Sequence, residues 1–270
     1  MLKQRILTGA GLTCGIVAVL LLSGNPWIMK AVSAILSLMA AYELCRAAGS
    51  LKDKGFTCCL MAASAIIAVI IGSKFAGLVF AVGLIGGVYF MKQIQVMKAI
   101  PGWMLFLTAC VTASSFGMLG SLRSAENGFY LLTMTVLFPV ITDIGAYCFG
   151  RCFGKHKLAP VISPKKTWEG SVGGTVCTIV ILLTVALILE AKDLIHVRFG
   201  YLAVYLLISS CIAQLGDLTF SAIKRIVGIK DYGTLLPGHG GILDRFDSLV
   251  FVVPFTVFVN QYFGPLLAAI

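Results

Sequence analysis

Long apolar stretches separated by short polar segments dominate the hydropathy pattern of the chain. A helix needs about 20 mostly apolar residues to cross a bilayer, and stretches of that kind recur nine times. The pattern predicts an all-α, polytopic transmembrane helix bundle of about nine spans. The expected spans cover residues 6–24, 27–46, 56–73, 75–91, 102–121, 129–150, 171–190, 200–222 and 248–268.

Composition excludes an ordinary soluble domain. Hydrophobic residues make up 59% of the 270 positions, charged residues only 12%, and the mean hydropathy is +0.99, whereas a soluble domain carries about 25% charged residues. The N-terminal apolar run lacks a convincing small-residue cleavage site, so we interpret it as a retained span. Small residues at Gly11, Gly15, Gly83 and Gly87 favour close approach between helices.

The distribution of basic residues predicts orientation. With a cytosolic N-terminus, 16 of the 21 Lys and Arg residues fall on the cytosolic side, as the positive-inside rule requires. The acidic residues divide the chain differently, because only three of the 11 precede residue 141. We therefore expect a scaffold over residues 1–128 and a catalytic region over 129–270, with cytosolic loops at 151–170 and 223–247.

The richest concentration of reactive side chains lies between residues 216 and 248. On a helix, Asp217, Ser221 and Lys224 share one face, and a carboxylate within an apolar run needs a cation, a partner or a water-filled cavity. Asp244 and Asp247 begin the next predicted helix. If the two helix ends meet, three carboxylates face one cavity, and oxygen ligands of this kind suit Mg²⁺.

A glycine-rich segment, residues 236–241, separates these two helices. Its backbone N–H groups can approach an anion closely, and Lys224, Arg225 and Lys230 surround it with positive charge. Charges at helix ends can also simply mark the membrane boundary or cap a helix. The whole set is nevertheless typical of phosphoryl or nucleotidyl transfer.

Two sequence blocks resemble the phosphatidate cytidylyltransferases, also called CDP-diacylglycerol synthases. They are SAIKRIVGIKDYGTLLPGHGGILDRFD at 221–247 and DIGAYCFGRCFGKHKLAPVISPKKTWEG at 143–170, and Glu43 lies in a similar Ala-Tyr-Glu setting. The resemblance implies that the phosphate of phosphatidate attacks CTP and releases diphosphate. It also implies Mg²⁺, alone or with a second cation, a homodimer, membrane lipids as partners and no nucleic acid. The expected location is a bacterial plasma membrane, with the active site facing the cytosol.

The resemblance also assigns roles to individual residues. It implies metal ligands at Asp217, Asp244 and Asp143, and a catalytic set that adds Asp247, Lys224 and Arg225. The substrate-binding residues that it implies are Lys165, Lys166, Lys230, Ser221, His239, Gly240 and Gly241.

Two positions depart from the family pattern. Phe220 stands where the family usually has an acid, and Tyr232 replaces a small residue. Phe220 motivates one alternative, an inactive membrane scaffold of the same family. Two further alternatives are a CTP-dependent transferase acting on another lipid phosphate and a transporter with intramembrane acids. A transporter predicts acids near the midplane of the membrane, whereas here they cluster toward one face.

Overall fold

The computed structural model describes residues 2–238 and 240–268. Within them the chain forms nine α-helices: α1 (Leu2–Leu22), α2 (Pro26–Ala47), α3 (Lys54–Ile70), α4 (Ala76–Gln93), α5 (Gly102–Arg123), α6 (Gly128–Phe153), α7 (Trp168–Glu190), α8 (Phe199–Ile226) and α9 (Leu243–Tyr262). Two short antiparallel pairs accompany them: β1 (Lys157–Ala159) with β2 (Ser163–Thr167), and β3 (His196–Val197) with β4 (Leu267–Ala268).

The helices confirm a bundle built for a membrane. Each predicted span overlaps one helix, and six described helices are long and apolar enough to cross a bilayer: α2, α4, α5, α6, α7 and α8. The apolar parts of α1 and α3 are shorter. A count of nine spans and the cytosolic N-terminus therefore stay predictions, as does the division at residue 128.

The last predicted span was misplaced. We expected 248–268, but α9 begins at Leu243 and ends at Tyr262. Its acidic first turns lower the local hydropathy and hide the true start. Its end is set by Gly264, which has a φ of 90°, and by the proline that follows it, since neither continues a helix.

Helix α9 forms the centre of the bundle. It packs against α4, α5, α6 and α8, and every residue from 247 to 257 is buried, as expected of a helix that is apolar all round. Gly216 of α8 permits a close crossing, because a Cβ there would lie 3.2 Å from the carbonyl oxygen of Asp247. This crossing places Asp217 beside the start of α9.

The prediction that glycines allow close approach between helices is confirmed at Gly87 but not at Gly11 and Gly15. Gly87 confirms close packing, because a Cβ there would lie 2.5 Å from Thr219 Oγ1. Gly11 and Gly15 do not, since a Cβ at either position would meet nothing within 4 Å. These two glycines face open space rather than a neighbouring helix.

The two predicted polar loops are shorter than expected. Helix α6 continues to Phe153 and α7 starts at Trp168, so the β1–β2 hairpin fills the interval. Thr167 caps α7 by accepting the N–H of Gly170 at 3.2 Å. Glu169 fixes the start of the hairpin, with Oε1 lying 2.6 Å from His156 Nδ1 and Oε2 accepting the N–H of Lys155 at 3.1 Å.

Candidate active site

A cavity of about 350 Å³, with several charged and polar side chains in its lining, lies between α6, α7, α8 and the β1–β2 hairpin. It brings together four residues predicted from sequence: Asp143, Lys165, Lys166 and Asp217. From sequence, Tyr147 was open between orienting the Asp143 carboxylate and simple packing, and the structure places it in the lining. Sequence reasoning did not identify the other polar side chains of the lining; these are Arg151, Thr167, Ser171 and Gln214. Spacing alone does not reveal them, because they come from four separate elements.

The Lys166–Asp217 ion pair closes the inner wall of this cavity. Lys166 Nζ contacts Asp217 Oδ2, and the two side chains remain 25% and 21% exposed. Ser221 donates its hydroxyl to Asp217 Oδ1 at 3.2 Å, which confirms the predicted shared face of α8. The hairpin thus places the Lys166 ammonium group against the Asp217 carboxylate, which the sequence places within an apolar helix.

Three carboxylates converge at this end of the bundle. Asp143 of α6, Asp217 of α8 and Asp247 of α9 lie close enough for their charges to interact. Asp247 is buried, and its Oδ1 accepts the N–H of Ser248 at 2.7 Å. No group of three or more Asp, Glu, His or Cys among the described residues forms a preassembled metal site.

Asp244 turns toward the glycine-rich loop. Its Oδ1 lies 2.8 Å from Lys224 Nζ, and its Oδ2 accepts the N–H groups of Tyr232 at 2.8 Å and Gly241 at 2.9 Å. The side chain is only 3% exposed. Asp244 therefore closes the loop in this structure, and its assignment as a metal ligand stays a prediction.

Glu43 of α2 holds the end of the same loop in place, although it lies about 200 residues earlier in the sequence. Both carboxylate oxygens accept backbone N–H groups at the start of α9, from Ile242 at 2.9 Å and Leu243 at 2.8 Å. The carboxylate lies so close to Gly233 and Gly241 that a Cβ at either would come within 2.5 Å of it. Sequence reasoning did not assign this role to Glu43, although a lone acid within an apolar helix was an available signal for it.

The remaining predicted residues surround this end of the bundle. Arg225 donates from Nε to the carbonyl of Ile162 at 3.2 Å, which ties the hairpin to α8. Lys230 is exposed. Gly240 has a φ of 85° and bridges to Leu236. His239 lies outside the described residues.

The two departures from the family pattern contact each other. The rings of Phe220 and Tyr232 meet edge to face with centroids 6.1 Å apart, and both side chains are fully buried. Burial raises the pKa of the Tyr232 hydroxyl well above its usual value, so it remains a donor. Lys224 Nζ lies 5.4 Å from the centre of the Tyr232 ring.

Comparison with known proteins finds a family model that matches most of the chain and relatives that match about half of it. The model of the cytidylyltransferase family matches residues 3–263. Proteins named phosphatidate cytidylyltransferase from Staphylococcus saprophyticus and Staphylococcus epidermidis are each 42% identical over 149 residues, 55% of this chain and 56% of theirs. The protein of that name from Staphylococcus aureus has the same identity over the same length. The chain thus aligns with about half the length of these curated relatives.

Proposed function

Because the chain belongs to the cytidylyltransferase family, we propose that it transfers the cytidylyl group of CTP to phosphatidate. The products are CDP-diacylglycerol and diphosphate. The names of the matched relatives support this substrate pair, and the bundle of apolar helices suits an enzyme with one lipid substrate and one soluble substrate.

The reaction requires one bond to form and one to break at the α-phosphorus of CTP. An oxygen of the lipid phosphate bonds to this phosphorus, and the bond from this phosphorus to the oxygen that bridges the α- and β-phosphates breaks. That oxygen leaves with the diphosphate. A phosphate monoester is already largely ionised at neutral pH, since its second pKa is about 6. The nucleophile therefore needs no protein base.

The observation that carries the proposal is the Lys166–Asp217 pair at the cavity wall. A triphosphate entering the cavity offers Lys166 an oxygen in place of the carboxylate. Lys165 lines the same cavity and supplies a second positive charge. The exchange releases Asp217 from its ion pair and leaves its carboxylate facing the substrate phosphates.

The donor set fits a magnesium ion held partly by substrate. Mg²⁺ in phosphoryl-transfer sites is commonly bound by one or two carboxylates together with phosphates and water, so a preassembled three-residue group is unnecessary. Asp217 and Asp143, which share the cavity, would hold it, and Asp247 lies within electrostatic range of both. A bound Mg²⁺ would offset the triphosphate charge and stabilise the diphosphate leaving group.

The membrane placement is also proposed. We place the protein in a bacterial cell membrane with the cavity facing the cytosol, where CTP is found. The positively charged segments predicted to be cytosolic supply Lys165, Lys166, Lys224 and Arg225 to this end of the bundle. A homodimer surrounded by lipid is part of the same proposal.

The test is conversion of phosphatidate to CDP-diacylglycerol by the purified protein with labelled CTP and Mg²⁺. Asp217→Asn and Lys166→Met should abolish or strongly reduce the product. Lys157→Met provides a matched control, because Lys157 is an exposed lysine of the same hairpin. Absence of product from folded protein with phosphatidate would overturn the proposal, and turnover of a different lipid phosphate would change the acceptor.

A further inference from the structure

A second, apolar cavity of about 490 Å³ lies between α1 and the body of the bundle. We call it the α1 groove. Its volume falls in the range of ligand pockets. Helices α1, α2, α5, α6 and α9 all contribute to its walls, and the side chains are almost entirely aliphatic or aromatic.

Glycines on α1 keep the groove open. Gly11 and Gly15 both line it, both are exposed, and a Cβ at either would meet nothing within 4 Å. Any larger residue at these positions would project into the space. The groove therefore has room for a flexible apolar chain on the surface of a helix bundle that stands in lipid.

One end of the groove reaches the glycine-rich loop. Leu236, the first residue of that loop, and Ile242, which follows its last residue, form part of the wall. Thr8 of α1 donates its hydroxyl to the carbonyl of Pro237 at 3.0 Å, so α1 is joined to the loop directly. The same loop is held by Glu43 and Asp244, as described above.

The groove also leads toward the carboxylates of the candidate active site. Val136 lines it and lies seven residues before Asp143 on α6, which puts both on one face about 10 Å apart along the axis. On α9, Arg245 directly precedes Phe246 of the groove wall. Its charge interacts with that of Asp143, so a positive side chain next to the groove wall lies within electrostatic range of the site.

We propose that the α1 groove holds an acyl chain of the phosphatidate substrate while the phosphate points past Arg245 toward Asp143. This inference rests on the proposed function. An apolar groove with a cationic end matches an anionic phospholipid. Burial of the acyl chain in the groove contributes favourable binding free energy, and the positive charge at the end of the groove interacts favourably with the headgroup phosphate. This arrangement places the lipid phosphate at the same end of the bundle as Lys166, the residue proposed to bind the CTP phosphates.

A second apolar groove, between α4, α5, α8 and α9, gives a matched control. It has a volume of about 270 Å³, and a Cβ added at Gly86 in its wall would likewise meet nothing within 4 Å. Its lining contains no residue of the glycine-rich loop and none of α6. Filling it should leave the lipid substrate unaffected.

The experiment compares Gly15→Leu with Gly86→Leu in nanodiscs, using long-chain and dihexanoyl phosphatidate. Gly15→Leu should raise KM for the long-chain lipid on the order of tenfold, the effect of losing burial of about two methylene groups. KM for CTP and for the dihexanoyl lipid should change little, and Gly86→Leu should match wild type. If Gly15→Leu had the same KM as wild type for the long-chain lipid as well as for the dihexanoyl lipid, the inference would be overturned.

A photolabel separates this inference from the proposed function. Phosphatidate with a diazirine on one acyl chain should label α1 or α2, less so in Gly15→Leu, and more than a phosphatidylcholine with the same chain. Equal labelling by both lipids would mean a structural lipid and would overturn the inference. If wild type turned over no phosphatidate, the proposed function would fail, while the labelling would still show whether phosphatidate occupies the groove.

Discussion

Tyr232 donates its hydroxyl to the backbone carbonyl of Phe220 at 2.9 Å, and the two rings pack edge to face. These are the two positions that depart from the family pattern. Their contact shows that the two positions form one structural unit. An aromatic pair fills the interior beside Lys224, where the family resemblance leads us to expect an acid and a small residue.

Removing the Tyr232 hydroxyl tests the strength of this unit. We expect Tyr232→Phe to lower stability by about 1 kcal/mol, the net value of a buried hydrogen bond, measured as the midpoint of thermal unfolding in detergent. Tyr201→Phe is a suitable control, because its hydroxyl reaches its two carbonyl partners only at 3.5 Å. An equal loss in both variants would contradict the special role of Tyr232.

Restoring the acid should succeed only when the tyrosine is also replaced. Phe220→Glu alone buries a carboxylate against the Tyr232 ring and should destabilise the protein strongly, because an unpaired buried charge is costly. Phe220→Glu with Tyr232→Ser gives that carboxylate space beside Lys224 and should recover part of the lost stability. Additive losses in the double variant would show that the two positions are independent.

The ion pair of the cavity predicts opposite effects on CTP binding without metal. Lys166→Met should weaken binding by tenfold or more, since a hydrogen bond to a charged group contributes about 1.5–3 kcal/mol. Asp217→Asn should tighten metal-free binding, because Lys166 loses its competing partner, yet it should abolish turnover. Titration calorimetry measures both, and Lys157→Met should bind like wild type. Weaker binding in Asp217→Asn would contradict the proposed exchange.

Epitope insertion tests the orientation of the bundle. A short tag after Val161, in the exposed turn of the hairpin, should be reached by antibody only after the cell membrane is permeabilised. A tag after Asp193, between α7 and α8, should be reached in intact spheroplasts. The reverse pattern would place the cavity outside the cell and remove its access to CTP.

Glu43 should matter more for stability than an ordinary capping acid. Glu43→Gln keeps one acceptor oxygen but leaves one buried N–H of Ile242 or Leu243 without a partner, at a cost of about 1–3 kcal/mol. Asp53→Asn is the control, since Asp53 caps α3 at an exposed position by accepting the N–H of Phe56 at 3.0 Å. Thermal unfolding of the two variants gives the comparison, and similar midpoints would refute the expectation.

Local sequence patterns were sufficient to predict the helices and the shared face of Asp217 and Ser221. Hydropathy failed at the start of α9 because Asp244 and Asp247 interrupt the apolar run while remaining helical. The partners of Lys224 and Glu43 were out of reach for a different reason. Lys224 was expected on the Asp217 face, yet it bonds to Asp244 of the next helix, and no spacing rule connects residues of separate elements.

The bond between Glu43 and Leu243 also sets an order of events during synthesis. The two residues are 200 positions apart, and a ribosome adds about 5–20 residues per second. Helix α2 therefore exists for roughly 10 to 40 s before its acceptor can be used. During that interval the Glu43 carboxylate must be hydrated, protonated or bonded to another helix. The contact between α2 and the start of α9 is consequently among the last in the molecule to form. A chain that stops short of α9 leaves the Glu43 carboxylate in its second helix without these two N–H partners.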